Sequence, residues 1–366
     1  MTNASELFSK DGIIGYREFR ASTTWSPPFR MRAIVHCIGG GGSGGSNTIS
    51  NTGCVAVSGG GAGEHSASIL ILDPAVTYTV TAGAGGAAGT DITTSGGTNA
   101  GNAGGASSFS GTGITTITAN GGSGGAQDSQ PAGTGVSVSG GAGGTGGAGE
   151  LFTFDGGRGG DAEVTTSGLA KAGAISGGGA VGVDGNGFRG GDAVMDRAAL
   201  RRVSTGGGGT GGRGGDLTMT SGNTNPISYG GSNTMDAGDV PSGSADGDPP
   251  LGEVFDSARQ GSVEAIFSRG LFEALKLSTF AYPEGTNKVA PPGCGGFGSN
   301  SGPSNGGAFS GGGGNSAFGI NVTQSEGGYP GGGGGGATIV SFSTDTLTCA
   351  PGGDGCVIIE LLEILA

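Results

Sequence analysis

The chain has 366 residues, of which 92 are Gly and 14 are Pro, with 33% hydrophobic and 12% charged residues. Average soluble domains carry roughly 45–50% apolar and about 25% charged residues, so an enzyme-like globule around one large apolar core is excluded. A formal charge of −13 repels phosphate backbones and anionic lipid surfaces alike, which argues against nucleic acid as a partner.

Residues 1–20 carry little glycine and read as an N-terminal attachment segment. The opening Met1-Thr2-Asn3-Ala4-Ser5-Glu6 has neither the basic nor the apolar region of a secretory leader, so folding in a cytoplasm is expected. Residues 21–366 read as one glycine-rich domain, with glycine spread from Gly39 to Gly355 and one composition break near 248–283.

Short β-branched runs punctuate the glycine and alternate with period two, as half-buried strands do. The clear ones are Met31 to Ile38, Val76 to Thr81, Ala337 to Phe342 and Cys356 to Leu362, with a further short strand in Ile114 to Ala119. Ser66 to Leu72 and Val76 to Val80 flank Asp73-Pro74, a turn signal that predicts a hairpin. The first and last strands bracket almost all of the glycine, which predicts a frame joining both chain ends. The apolar C-terminal run contains Glu360 and Glu363 and is too short to span a bilayer, so it also reads as a strand.

The glycine runs admit two physical readings. Each Gly loses roughly 0.5–1 kcal/mol more backbone freedom on folding than Ala, which favours disorder. Alternatively, extended threefold helices of the polyproline II type pack side by side, with backbones close enough to exchange N–H···O and Cα–H···O bonds because no Cβ intervenes. Collagen is excluded, since no strict three-residue glycine period is kept and Pro is scarce. Strands recurring between the runs favour the ordered bundle, since a flexible linker has no use for them. The expected fold is therefore mostly β and irregular. It is a bundle of polyglycine II helices framed by short antiparallel strands, with one short helical insertion. That helix is predicted within 252–277, where Val263, Ile266, Phe267, Leu271 and Leu275 recur at helical spacing after Ser262.

An RGGD motif recurs three times, at Arg158 to Asp161, Arg189 to Asp192 and Arg213 to Asp216, each before an alternating stretch such as Leu217-Thr218-Met219-Thr220. Each copy reads as one structural unit in a layered array with variable loops. RGG triplets also suit single-stranded RNA, but here each is followed by Asp, without interleaved aromatics and in an acidic chain. Pairing of each Arg with a nearby carboxylate is the expectation. Gly156 to Asp161 and Gly211 to Asp216 match part of a calcium β-roll repeat, but the copies are not in tandem and position eight is Glu163 or Thr218, so no metal is assigned. The five cysteines, Cys37, Cys54, Cys294, Cys349 and Cys356, are odd in number and lack CxxC spacing, so free thiols packing as small hydrophobes are expected. The chain has only two histidines, His36 in a strand and His65 in a glycine-rich turn, and neither has a nucleophile motif nearby; no catalytic residue or cofactor is assigned.

The ordered pieces resemble the glycine-rich domain of tail-fibre and distal adhesin proteins of tailed bacteriophages over about residues 19–361. They are Phe19, Thr24-Trp25 and Pro27; Met31 to Ile38 running into Gly39 to Gly42; Tyr78 to Gly86; Gly104 to Phe109; and Gly352 to Glu360. Departures are Pro27-Pro28-Phe29 in place of a Pro-x-Gly turn, and the insertion at 248–283. The resemblance implies a non-enzymatic virion protein assembled in the host cytoplasm, with polyglycine helices holding up loops that touch the host surface. Its partners would be a bacterial surface polysaccharide or an outer-membrane protein, together with other phage tail proteins. It would act as a homotrimer or as a cap on a trimeric fibre. A purely structural virion role, as a fibre joint or decoration protein, is the alternative. Candidate contact loops are Ser43 to Ser58, Ala126 to Val138, Asn223 to Pro250, Tyr282 to Asn305 and Asn321 to Pro330, with aromatics Tyr229, Tyr282, Phe297 and Tyr329 as candidate receptor-binding residues.

Overall fold

A computed structural model describes residues 15–49, 53–131, 133–165, 172–183, 185–195, 201–219, 302–318, 320–340 and 345–365, with 230, 288–289, 295–296 and 298–299. Among these residues the chain is mostly β-sheet and contains no helix. The helix expected within 252–277 lies outside the described residues.

The alternating strands of the two chain ends form one five-stranded antiparallel sheet, here the root sheet. Its order is Tyr16–Phe19, Cys356–Ile364, Met31–Ile38, His65–Leu72 and Phe152–Phe154. Cys356 lies opposite Ile38 and Leu361 opposite Ala33, so the first and last clear strands do join the chain ends. Tyr16–Phe19 pairs with Val357 to Glu360, so the last part of the supposed attachment segment is an edge strand of this sheet.

A second sheet, in the order Ile117–Ala119, Ser107–Ser110, Tyr78–Thr81 and Thr23–Trp25, packs on one face of the root sheet. Met31, Val35, Leu72, Val357 and Ile359 meet Tyr78, Val80, Phe109 and Ile117 there in the largest apolar cluster at this end. The turn at Asp73 forms, with the Ala75 N–H on Asp73 Oδ1 at 2.8 Å and the Asp73 N–H on the Tyr78 hydroxyl at 3.0 Å. It does not close a hairpin. The strands on either side enter different sheets, because Leu72 and Tyr78 are both buried between the layers rather than side by side in one.

From the root the chain runs repeatedly to a stack of further sheets, here the tip. One tip sheet orders Asn315–Phe318, Ala337–Val340, Ser46–Ile49 and Thr98–Asn99. The next orders Gln127–Pro131, Gly53–Val57, Ala172–Ile175 and Arg201–Ser204, and a third Val136–Val138, Ala162–Val164, Ala193–Met195 and Leu217–Met219. Ile49, Val55, Val57 and Val340 fill the first interlayer, while Cys54, Ala56, Val164, Met195, Val203 and Met219 lie in the second. A two-stranded sheet of Val322–Thr323 and Leu347–Thr348 closes the stack over Ile92, Ile339 and Leu347. Contrary to the all-antiparallel expectation, many tip pairs are parallel. Successive excursions from the root arrive in the same direction, and the intervening return lies in another layer.

Between root and tip lie the glycine runs, and their hydrogen bonds recur every third residue. Gly39, Gly42 and Gly45 donate to Glu64, Gly61 and Ser58 of the adjacent run, while Gly40 and Ser43 donate to Gly105 and Asn102 of another, and Gly41 to Gly353 of a third. The carbonyls of the same run accept from Gly122 and Gly125, from Gly86, and from Gly334 and Ala337. A Cβ built on Gly39, Gly40, Gly41, Gly42 or Gly44 would fall inside 3.0 Å of a neighbouring backbone carbonyl. The glycine is thus required by close approach of backbones on all sides.

Candidate functional site

Because the excursions start at the root, the described connections between tip strands fall at the far end of the molecule. Among the described residues they are seen at 93–97, 133–135, 320–321 and 345–346. Exposed polar residues stand there at Thr93, Thr94 and Ser95, at Thr134 and at Asn321, with the apolar Ile320 exposed beside Asn321. Gly96 and Gly133 adopt φ of 77° and 86° in these turns, the left-handed region that a side chain disfavours. Their supports are rigid. Thr48 Oγ1 donates to Thr94 O at 2.7 Å, and Asp91 Oδ1 accepts the Cys349 N–H at 3.0 Å.

The expected contact loops divide on this frame. Within Ser43 to Ser58, the described residues are almost all buried in runs and strands, and 50–52 lie outside the described residues. Ala126 to Val138 is a tip connection between two strands. Asn321 to Pro330 begins at the tip but ends at the root, where Tyr329 is half-buried. The Tyr329 hydroxyl donates to Glu18 Oε1, and the Arg20 guanidinium lies 4.4 Å over its ring. Burial, above all, pushes the phenol well above its ordinary value. Tyr329 therefore fastens the edge strand Tyr16–Phe19 to the bundle and stands away from the tip. Polarity misled here because Gln324, at the heart of that loop, is buried with its amide donating to Gly45 O and Gly335 O at 3.1 and 2.9 Å. Tyr229, Tyr282 and Phe297 lie outside the described residues.

The RGGD copies come together. Their following strands, Ala162–Val164, Ala193–Met195 and Leu217–Met219, pair in parallel and in register. Each aspartate receives its own arginine, in the pairs Arg158–Asp161, Arg189–Asp192 and Arg213–Asp216, the last at 2.9 Å. Each also accepts a main-chain N–H from the layer before it: Asp161 from Gly140 at 2.8 Å, Asp192 from Asp161 at 2.7 Å and Asp216 from Asp192 at 2.9 Å. The result is a carboxylate ladder that ties adjacent runs at the point where glycine gives way to strand. Asp192 and Asp216 each give one oxygen to a guanidinium and the other to an amide, whereas Asp161 Oδ1 accepts from both. Among the described residues no group of three His, Cys, Asp or Glu side chains converges as a metal site.

His36 and His65 are buried and face each other, Nδ1 to Nε2 at 3.1 Å, with His65 Nδ1 on Gly182 O at 2.9 Å and His36 Nε2 3.8 Å from Glu360. Burial, reinforced by His36, pushes His65 down to about 3, so its Nδ1–H donates to Gly182 and its Nε2 accepts from His36. Neither ring has a hydroxyl or thiol nucleophile among these partners. Cys37, Cys54, Cys349 and Cys356 are free and buried; burial pushes Cys356 up to about 12 and raises Cys37 further. Cys294 lies outside the described residues.

Sequence reasoning overlooked Glu64. It is fully buried, and its carboxylate accepts the N–H groups of Asn120 and Gly147 at 2.9 Å, closing the root end of the bundle. A lone acid at the end of a glycine run, directly before a strand, was the available signal. No family model matches this sequence, and no curated protein matches it either.

Proposed function

We propose that the protein is a non-enzymatic virion component of a tailed bacteriophage, a distal tail-fibre adhesin that recognises a host surface polysaccharide or outer-membrane protein. One observation carries the reading: both Tyr16–Phe19 and Cys356–Ile364 lie in the root sheet, and the described connections between tip strands lie at the opposite end. A protein built this way holds one end to a support and presents variable polar loops at the other. Assembly in the host cytoplasm and attachment to other tail proteins, as a trimer or as a cap on a trimeric fibre, belong to the same reading.

The scaffold within this proposal is a bundle of polyglycine II helices. The three-residue recurrence of the run 39–45, which addresses a different neighbour with each successive N–H, supports this reading, since such a helix turns once every three residues. A lattice of this kind tolerates exchange of its tip connections, because its hydrogen bonds run between main-chain groups of the glycine runs.

The competing reading, a fibre joint or decoration protein, predicts that the loops meet only other virion subunits. Infection in the presence of excess purified protein separates the two. The adhesin competes for receptors and lowers plaque counts on susceptible strains, whereas a joint leaves the counts unchanged.

A further inference from the structure

The outer face of the root sheet is covered by other elements only in part. Near the glycine runs, Ile38, Cys356 and Ile358 are sealed by Val181, Val183 and Phe309. Farther out on the same face, Ile34, half-buried, lies opposite Ile69, and the exposed Arg32 lies opposite Ile71. Ile69 and Ile71 are 38% and 52% exposed. Among the described residues, the other large apolar side chains that stand exposed are Leu151 and Ile364, beside this sheet, and Ile320, near the tip.

Charge points the same way. No Lys or Arg occurs between Ala33 and Gly157, while Arg30 and Arg32 stand exposed at the root; Arg17 lies over the Phe19 and Trp25 rings on the other face and Arg20 pairs with Glu18. Arg32 is exposed and in register with the exposed Glu363. Arg158, Arg189 and Arg213 are tied to aspartates. Two copies, each at −13, repel along most of their surfaces, yet at the root each offers both signs around an aliphatic centre.

We infer that this face binds a second copy of the same chain. Ile34, Ile69 and Ile71 of one copy are covered by those of the other, with Arg32 meeting a carboxylate of the opposing rim. Contact at the root leaves both loop-bearing ends free, so an adhesin paired in this way gains from binding two receptors at once. The inference does not depend on the receptor reading, since self-association is measured without cells.

Sedimentation equilibrium of the full chain from ~1 to ~100 μM tests it, because transient to stable interfaces fall within that range. The expected result is a concentration-dependent mass above that of one chain, returned to one chain by Ile71→Asp and weakened at least tenfold by Arg32→Glu. Ile320→Asp at the tip leaves the association unchanged. Both root substitutions are at exposed positions, and an unchanged urea midpoint verifies their fold; should Ile71→Asp fail that check, Arg32→Glu alone carries the test. A wild-type protein that remains a single chain throughout, or association indifferent to a folded root variant, overturns the inference.

Discussion

At Gly42 the space a methyl group would fill belongs to the Ser123 carbonyl, and at Gly61 to that of Ala142. Neither neighbour is a side chain that can turn aside. Gly42→Ala or Gly61→Ala is therefore expected to destabilise by at least ~3 kcal/mol, the upper range for overpacking. Gly185→Ala, with nothing within 4 Å of its Cβ and no left-handed φ, should be neutral or slightly stabilising. Urea midpoints of the three variants provide the comparison. A second residue-scale expectation concerns acid. His65 binds its proton at about 3 when folded against an ordinary 6.5, so between these values the unfolded chain holds more protons. Stability should fall as pH drops through that window, by about 1.4 kcal/mol per unit for this one group. Urea unfolding from pH 7.5 to 4 reads the slope, and His65→Asn should flatten it by that amount. The buried thiols yield a third. In folded protein at pH 8, Cys37, Cys54, Cys349 and Cys356 should resist iodoacetamide, and all four should alkylate in urea, as read by peptide mass spectrometry.

Among the elements, the carboxylate ladder is where sequence and structure agree most closely. Three RGGD copies with unequal spacing pointed to stacked units with loops of different length, and the strands after them stack in register. What the motif did not reveal is the direction of the donors: each aspartate serves the layer before it as well as its own arginine. Asp192→Ala strands the Asp161 N–H along with Arg189 and should cost about 2 kcal/mol. Arg189→Ala removes only a partly exposed pair and should cost less than ~1 kcal/mol. A reversed order of the two melting temperatures would contradict the ladder. The strands Met31–Ile38 and Cys356–Ile364 were legible because alternation marks a half-buried sheet. The turn at Asp73 was legible as a turn and misleading as a hairpin, since local chemistry specifies a reversal but not which sheet receives each arm.

At the scale of the molecule, composition announced that backbone would replace side chains as the packing material. Which runs are neighbours was beyond its reach, because a glycine carries no side chain to encode a partner. Polar stretches were equally ambiguous: Gln324 is buried polarity and Thr134 is exposed polarity, and only the topology tells them apart. Hence Tyr329, grouped by sequence with the recognition loops, belongs to the root, whereas the connection at 133–135 belongs to the tip. The central claim is that recognition resides at that tip. The direct measurement is retention of fluorescently labelled protein on a panel of intact bacteria. It compares wild type with a variant whose connections at 93–96 and 319–321 are replaced by Gly-Ser of equal length, and with the root variant Ile71→Asp. Retention on a subset of strains, lost in the tip variant and still detectable in the root variant, is predicted. Folded protein retained by no strain, or retained equally after the tip exchange, would contradict the account.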